Sequence, residues 1–170
     1  FSMMQNMYKK EYSEMLKMFY GIHVSKIETS SGDYISSSPE PFLMLDLAIP
    51  QKKNPTLIDC IEKYTEAEFL NGDNKIFNEK TKQKEDANKQ IQFWSLPQIL
   101  IITLKRFSNS NKKNQVLVDF PFDNLDLTKY IVGYNKKSYK YKLYGVCNHS
   151  GGVLGGHYTS FIKNSNGNWY

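Results

Sequence analysis

The segment Leu96–Phe107 (LPQILIITLKRF) constrains the fold more than any other part of the chain. Ile99, Leu100, Ile101 and Ile102 run together, and Leu104 extends the run across Thr103. A membrane helix needs roughly 20 consecutive apolar residues, so this run is far too short to span a bilayer. Near-continuous branched aliphatics over so short a stretch read as a β-strand buried on both faces, here Gln98–Phe107. Such a strand needs covering layers, and the composition can supply them. Of 170 residues, 40% are hydrophobic and 14% aromatic. That suffices for one domain with a real core and excludes disordered and collagen-like chains.

The remaining segments read as those layers. Met3–Tyr20 has the pattern of an amphipathic helix, with Met4, Met7, Tyr8, Met15, Met18 and Phe19 at helical spacing and Gly21 as its stop. Its methionines read as core packing. Ile22–Glu28 and Tyr34–Ser37 read as strands joined by a turn at Thr29–Asp33. Phe42–Ile49 reads as a strand bracketed by Pro41 and Pro50. Thr56–Leu70 reads as a helix capped by Thr56, with Leu57, Ile58, Ile61 and Phe69 as its apolar stripe. Asn71–Gln90 mixes lysines with acids and reads as a solvated hairpin or finger. Leu117–Phe122 reads as a strand edge and Leu125–Tyr130 as a short helical turn. Tyr139–His149 and Gly156–Lys163 read as long strands joined by a glycine-rich loop, Ser150–Gly156. Helices fall mostly in the first half and strands dominate the second, so the class is α+β.

Charge and cysteine usage narrow the function classes. Lys plus Arg is 22 and Asp plus Glu is 17, a formal charge of +5. The small clusters Lys112–Lys113 and Lys136–Lys137 are scattered and interleaved with acids, whereas phosphate recognition concentrates charge on one face. No nucleic-acid partner is expected. Two cysteines, Cys60 and Cys147, make no disulfide scaffold. Both are expected as buried, inert thiols, and the expected location is intracellular, in cytoplasm or nucleus. Phe1–Met7 has neither a basic head nor a long apolar stretch, so no targeting segment and no membrane partner are expected.

Of the three histidines, His23 reads as structural or exposed. His149 and His157 flank the glycines of NHSGGVLGGHYTSF (Asn148–Phe161). Glycine lets a second backbone approach closely and permits positive φ. A histidine opening a strand there is well placed as general base to a nucleophile brought from elsewhere in the fold. The same letters also describe a glycine-rich hairpin turn with an incidental histidine.

The longer pattern carries a resemblance. LPQILIITLKRF (Leu96–Phe107), VDFPFDNLDLTKY (Val118–Tyr130), YKLYGVCNHSGG (Tyr141–Gly152) and GGHYTSFIKN with NWY (Gly155–Tyr170) resemble, in order and spacing, the ubiquitin-specific proteases. These are papain-like cysteine enzymes that remove ubiquitin. Phe19–Pro50 resembles the family segment that enters the fingers, and Leu57–Asn74 the helix and turn that follow. The resemblance implies an α+β papain-like fold with an antiparallel-sheet palm and fingers, the N-terminal thumb missing. The chain would then be one partial catalytic domain over 1–170, with about 21–49 and 71–95 as fingers and 96–170 as palm.

The implied activity is thiol-dependent hydrolysis of the isopeptide bond after ubiquitin's C-terminal glycine, with ubiquitin or ubiquitinated proteins as partners. His157 matches the catalytic histidine, which would take the proton from a cysteine thiol. Asn148 and His149 match residues beside the channel for the ubiquitin tail. Gly155 and Gly156 match glycines that leave room for that tail, and Tyr158 matches the aromatic that packs below the histidine. The family's nucleophilic cysteine and its orienting Asp or Asn have no match here, so they are expected in cis or on another chain. The 170 residues alone are expected to be inactive. The alternative is a catalytically inactive ubiquitin-binding module. Many members also bind a structural zinc through two CxxC pairs, and the matching positions here are Thr29, Gly32, Asn78 and Thr81. Neither zinc nor any other cofactor is expected. The palm face that meets the thumb is expected to be exposed and apolar, favouring self-association.

Overall fold

The computed structural model describes residues 14–32, 35–135 and 138–170. In chain order its elements are α1 (Glu14–Phe19), β1 (Gly21–Thr29), β2 (Ile35–Phe42), β3 (Met44–Ala48), α2 (Leu57–Thr65), β4 (Glu68–Leu70), β5 (Ile76–Asn78), β6 (Gln83–Glu85), β7 (Ala87–Ser95), β8 (Ile101–Lys105), β9 (Leu125–Asp126), β10 (Lys140–Tyr141), β11 (Gly145–Gly152) and β12 (Gly155–Ile162). Of the helix expected over Met3–Tyr20, the part before Glu14 lies outside the described residues, and α1 is the rest. No helix among the described residues is long and apolar enough to cross a membrane. The chain divides into two compact units, one of Phe1–Leu45, Thr65–Thr103 and Tyr130–Lys137, the other of Asp46–Tyr64, Leu104–Lys129 and Ser138–Tyr170.

The first unit is built on a four-stranded antiparallel sheet ordered β2-β1-β7-β4. Its buried apolar residues include Val24, Phe42, Leu45, Ala87, Phe93 and Leu96. The Phe42 ring lies 6.2 Å from Phe93 and stacks on His23 at 5.6 Å. His23 also reaches Glu40 at 3.2 Å, so it is a structural residue, as its sequence context suggested. Strand β2 contains Pro39 and Pro41, a composition tolerated because β2 is an edge strand whose outer N–H groups pair with nothing in the sheet. Pro41 is therefore not a boundary. The strand expected over Phe42–Ile49 divides, with Phe42 closing β2 and Met44 opening β3, which pairs with β8.

The helix expected over Thr56–Leu70 also ends early. After Thr65 the chain becomes extended, and Glu68–Leu70 pair with Lys89–Ala87 of β7. That pairing occupies backbone groups on the β7 edge that a longer helix would leave open.

The finger expected over Asn71–Gln90 contains the β5–β6 hairpin. Asn78 is fully buried there. Its Oδ1 accepts the Lys80 N–H at 2.9 Å, and its Nδ2 donates to Glu85 Oε1 at 3.1 Å. The Thr81 hydroxyl donates to the same Glu85 oxygen. These two bonds, Thr81's first, hold the Glu85 carboxyl below its ordinary value. On the facing turn, Thr29 Oγ1 lies 3.1 Å from Ser31 Oγ, and the Ser30 N–H donates to the Asp86 carbonyl at 3.1 Å. Thr29, Gly32, Asn78 and Thr81 offer no thiolate, imidazole or carboxylate, so this donor set does not fit zinc. Hydrogen bonds occupy the two turns instead.

The run Gln98–Phe107 is a shorter strand than its apolar residues suggested, and it is not closed on both faces. The strand is Ile101–Lys105, Phe107 adds an isolated bridge to Lys113, and Ile101 is exposed. The described residues cover it in part.

The second unit packs Leu47, Pro55, Cys60, Ile61, Val118, Leu125 and Leu127 as its core. Helix α2 begins at a reciprocal cap. The Asp59 N–H donates to Thr56 Oγ1 at 3.1 Å, while the Thr56 N–H and hydroxyl each donate to Asp59 Oδ2 at 2.7 Å. Lys52 Nζ adds a bond to Asp59 Oδ1 at 2.8 Å. The Lys52 bond, then the two from Thr56, hold the Asp59 carboxyl down at about 2. Leu117–Phe122 is not a strand. It is extended chain tied to the helix start through Leu57 N–H to Asp119 O at 2.7 Å and Asp119 N–H to Pro55 O at 3.0 Å. Beyond it, Leu125–Asp126 form β9 and pair with β10, so of the helical turn expected over Leu125–Tyr130 only Thr128–Tyr130 is helical.

Candidate active site

Strands β11 and β12 form an antiparallel ribbon closed by the two-residue turn Val153–Leu154. The loop expected over Ser150–Gly156 is therefore mostly strand. Its glycines make that possible. Gly151 faces Gly156, and a β-carbon on Gly151, whose φ is +133°, would come within 2.6 Å of the Gly155 carbonyl. The long strand expected over Tyr139–His149 is likewise broken, into β10 and β11.

Partners directly opposite in an antiparallel ladder share a face, and successive residues alternate. The register pairs Ser150 with His157, Asn148 with Thr159, His149 with Tyr158, and Cys147 with Ser160. His157 and Asn148 thus lie on one face, while His149, Tyr158, Gly156 and Cys147 lie on the other. The expected site residues are all on this ribbon, but not on one surface of it.

On the first face the His157 ring is exposed and makes no hydrogen bond among the described residues. Gly155 beside the turn has open space around it. On the second face the rings are tightly arranged. His149 stacks with Tyr158 at 4.6 Å and 30°, and Phe107 lies 6.0 Å from His149. The Tyr158 side of the stack remains 67% exposed. A β-carbon on Gly156 would collide with His149 Nε2. The space that Gly156 vacates is thus taken by the His149 ring.

Both cysteines belong to this unit. Cys60 is buried in α2, where burial first, and the neighbouring Asp59 charge second, push its thiol up. Cys147 is exposed, against expectation, because no layer among the described residues covers the ribbon at that point. It occupies the face opposite His157.

One residue of the site escaped the sequence reading. Lys113 Nζ donates to the carbonyls of His149 at 2.6 Å and Gly151 at 3.3 Å, and lies 3.3 Å from His149 Nδ1. In the sequence it stands only as charge, in the Lys112–Lys113 cluster; the Ser108–Asn111 turn brings the chain back so that Lys113 pairs with Phe107.

The comparisons with known proteins agree with this architecture. Residues 2–170 match the family model described as ubiquitin carboxyl-terminal hydrolase. The chain belongs to the ubiquitin carboxyl-terminal hydrolase family. Ubiquitin carboxyl-terminal hydrolase 5 of Saccharomyces cerevisiae is 32% identical over 176 residues, covering 94% of this chain and 22% of that protein. Ubiquitin carboxyl-terminal hydrolase 15 of Homo sapiens is 41% identical over 125 residues, covering 71% of this chain and 13% of that protein. This chain therefore spans less than a quarter of the length of either relative. Among solved structures, a yeast SAGA DUBm with an Sgf73 mutant superposes with a TM-score of 0.82 at 28% identity, covering 99% of this chain and 38% of that one. The SAGA Ubp8/Sgf11/Sus1/Sgf73 DUB module bound to ubiquitin aldehyde gives 0.78 at 27% identity, covering 95% and 38%. The mixed α+β architecture with antiparallel sheets is the one these structures share.

Proposed function

We propose that this chain carries the histidine half of a deubiquitinase that hydrolyses the isopeptide bond after ubiquitin's C-terminal glycine. His157 acts as general base toward a cysteine outside these 170 residues. The observation that carries the reading is the ribbon itself. It presents an exposed His157 beside the open Gly155, on the face away from Cys147, in a chain of this family. Neither cysteine of the chain suits the task. Cys60 is buried with its thiol pushed up, and Cys147 is on the wrong face. A thiol gives up its proton near neutral pH most readily where a positive charge or a base stands beside it.

In this reading Asn148 and Gly155 border the ubiquitin tail on the His157 face. His149, Gly156 and Tyr158 support the ribbon from behind. Residues 21–49 and 71–95 form the fingers and 96–170 the palm. The similarity to a module bound to ubiquitin aldehyde supports ubiquitin as the partner. An intracellular location goes with that partner.

The test is hydrolysis of ubiquitin carrying a C-terminal fluorogenic amide by the full-length protein and its His157→Gln variant. Loss of general-base catalysis predicts a fall in kcat of roughly 10²–10⁴-fold. Unchanged hydrolysis in the variant would remove His157 from the mechanism. Ubiquitin binding with no hydrolysis by the unsubstituted protein would favour an inactive ubiquitin-binding module.

A further inference from the structure

We propose that Lys113 is a positioning residue that fixes the His149 ring and pins the β11 backbone opposite His157. An ammonium has three protons and no lone pair, and here it faces three acceptors: His149 O at 2.6 Å, His149 Nδ1 at 3.3 Å and Gly151 O at 3.3 Å. Because the ring nitrogen within hydrogen-bond distance is Nδ1, and an ammonium can only donate, that nitrogen must carry the lone pair. The hydrogen of neutral His149 therefore sits on Nε2, the atom lying over Gly156.

His149 and Gly151 are two residues apart, so their carbonyls leave the strand on the same side. Lys113 takes both. It thereby holds the strand on either side of Ser150, the residue directly opposite His157. The ammonium is itself well anchored. Phe107 and Lys113 bridge across the 108–111 turn, the Asn114 N–H donates to Arg106 O at 2.6 Å, and Lys113 Nζ sits 5.8 Å from the centre of the Phe107 ring. Lys113, Phe107, His149 and Tyr158 form one continuous support under the ribbon. Its consequence for catalysis rests on the proposed role of His157, but its geometry does not.

The test is nuclear magnetic resonance on the full chain labelled with nitrogen-15 in histidine and lysine. Only three histidines contribute signals, and substitution of His23 and His157 assigns them. In the unsubstituted chain the expected result is a slowly exchanging Lys113 ammonium with a through-space contact to the His149 ring, and His149 in its Nε2–H form. In Lys113→Met the hydrogen should become shared between the two ring nitrogens, while Lys113→Arg, still a donor, should keep the Nε2–H form. An Nδ1–H ring, or no ordered ammonium, in the unsubstituted chain would overturn the proposal without any variant needing to fold. So would a His149 spectrum unchanged in Lys113→Met. If the Lys113 and His149 signals are as expected but His157→Gln keeps full hydrolysis, the proposed function fails and the clamp stands.

Discussion

The fully buried Asn78 offers a quantitative test of what holds the β5–β6 hairpin together. Replacing it by Leu keeps the heavy-atom count and the branch at Cγ, so no cavity adds to the effect. What is lost is the acceptor for the Lys80 N–H and one donor to Glu85. A polar group stripped of its partner in an enclosed site costs roughly 1–3 kcal/mol, so about 2 kcal/mol is expected. At about 1.4 kcal/mol per factor of ten, that is roughly a 30-fold loss of protection. The assay is hydrogen exchange followed by mass spectrometry on peptides covering 76–85 in the full chain. The loss should be confined to those peptides, because the network is local. Glu85→Gln should do less, since the amide keeps an oxygen for both donors. Protection within twofold of the parent in Asn78→Leu would refute the reasoning. It would mean that water replaces the side chain and that the strand ladder alone holds the hairpin.

Two further outcomes are expected. The Asp59 carboxyl is held at about 2 against an ordinary 3.8, so its contribution to the α2 cap is complete above pH 3.8 and disappears as the pH falls toward 2. Acid titration by circular dichroism should show that loss in the parent and not in Asp59→Asn, and identical acid profiles would contradict it. Exposed Cys147 should react with a thiol reagent under native conditions while buried Cys60 reacts only on unfolding. A fast thiol persisting in Cys147→Ser would show that burial has been misjudged.

The α+β class, the two strands of the ribbon, a hairpin or finger within 71–90 and the cap at Thr56 were legible in the sequence because each depends on local chemistry. Hydrophobic periodicity, interleaved charge, glycine turn signals and a Thr at a helix start act within a few residues of one another. The failures are non-local. Glu68–Leu70 carry no strand signal strong enough to outweigh a helix, and only the waiting edge of β7 makes them extended. Pro41 looks like a strand boundary until β2 is known to lie at a sheet edge. Cys147 looks buried by residue type, yet burial depends on what covers the ribbon. At the site, the glycines and both histidines stood out, but their distribution over two faces follows from register. Gly156 was expected to clear space, and it does so for His149. Lys113 was visible only as charge, because its partners lie 36 and 38 residues further along the chain.

Strand β12 is exposed along all eight of its residues, and Leu154 at its turn is fully exposed. A two-stranded ribbon with so little burial is marginal by itself and belongs to the part of a protein that opens most readily. His157 therefore sits on an element that the described residues cover little. Any surface that binds the ribbon shut will raise the fraction of molecules with the histidine aligned, and the ordering it imposes will be subtracted from its own affinity. Recognition and alignment at such a site are two readings of a single equilibrium. Tightening the ribbon from behind should thus strengthen binding at its front, with no new contact made there.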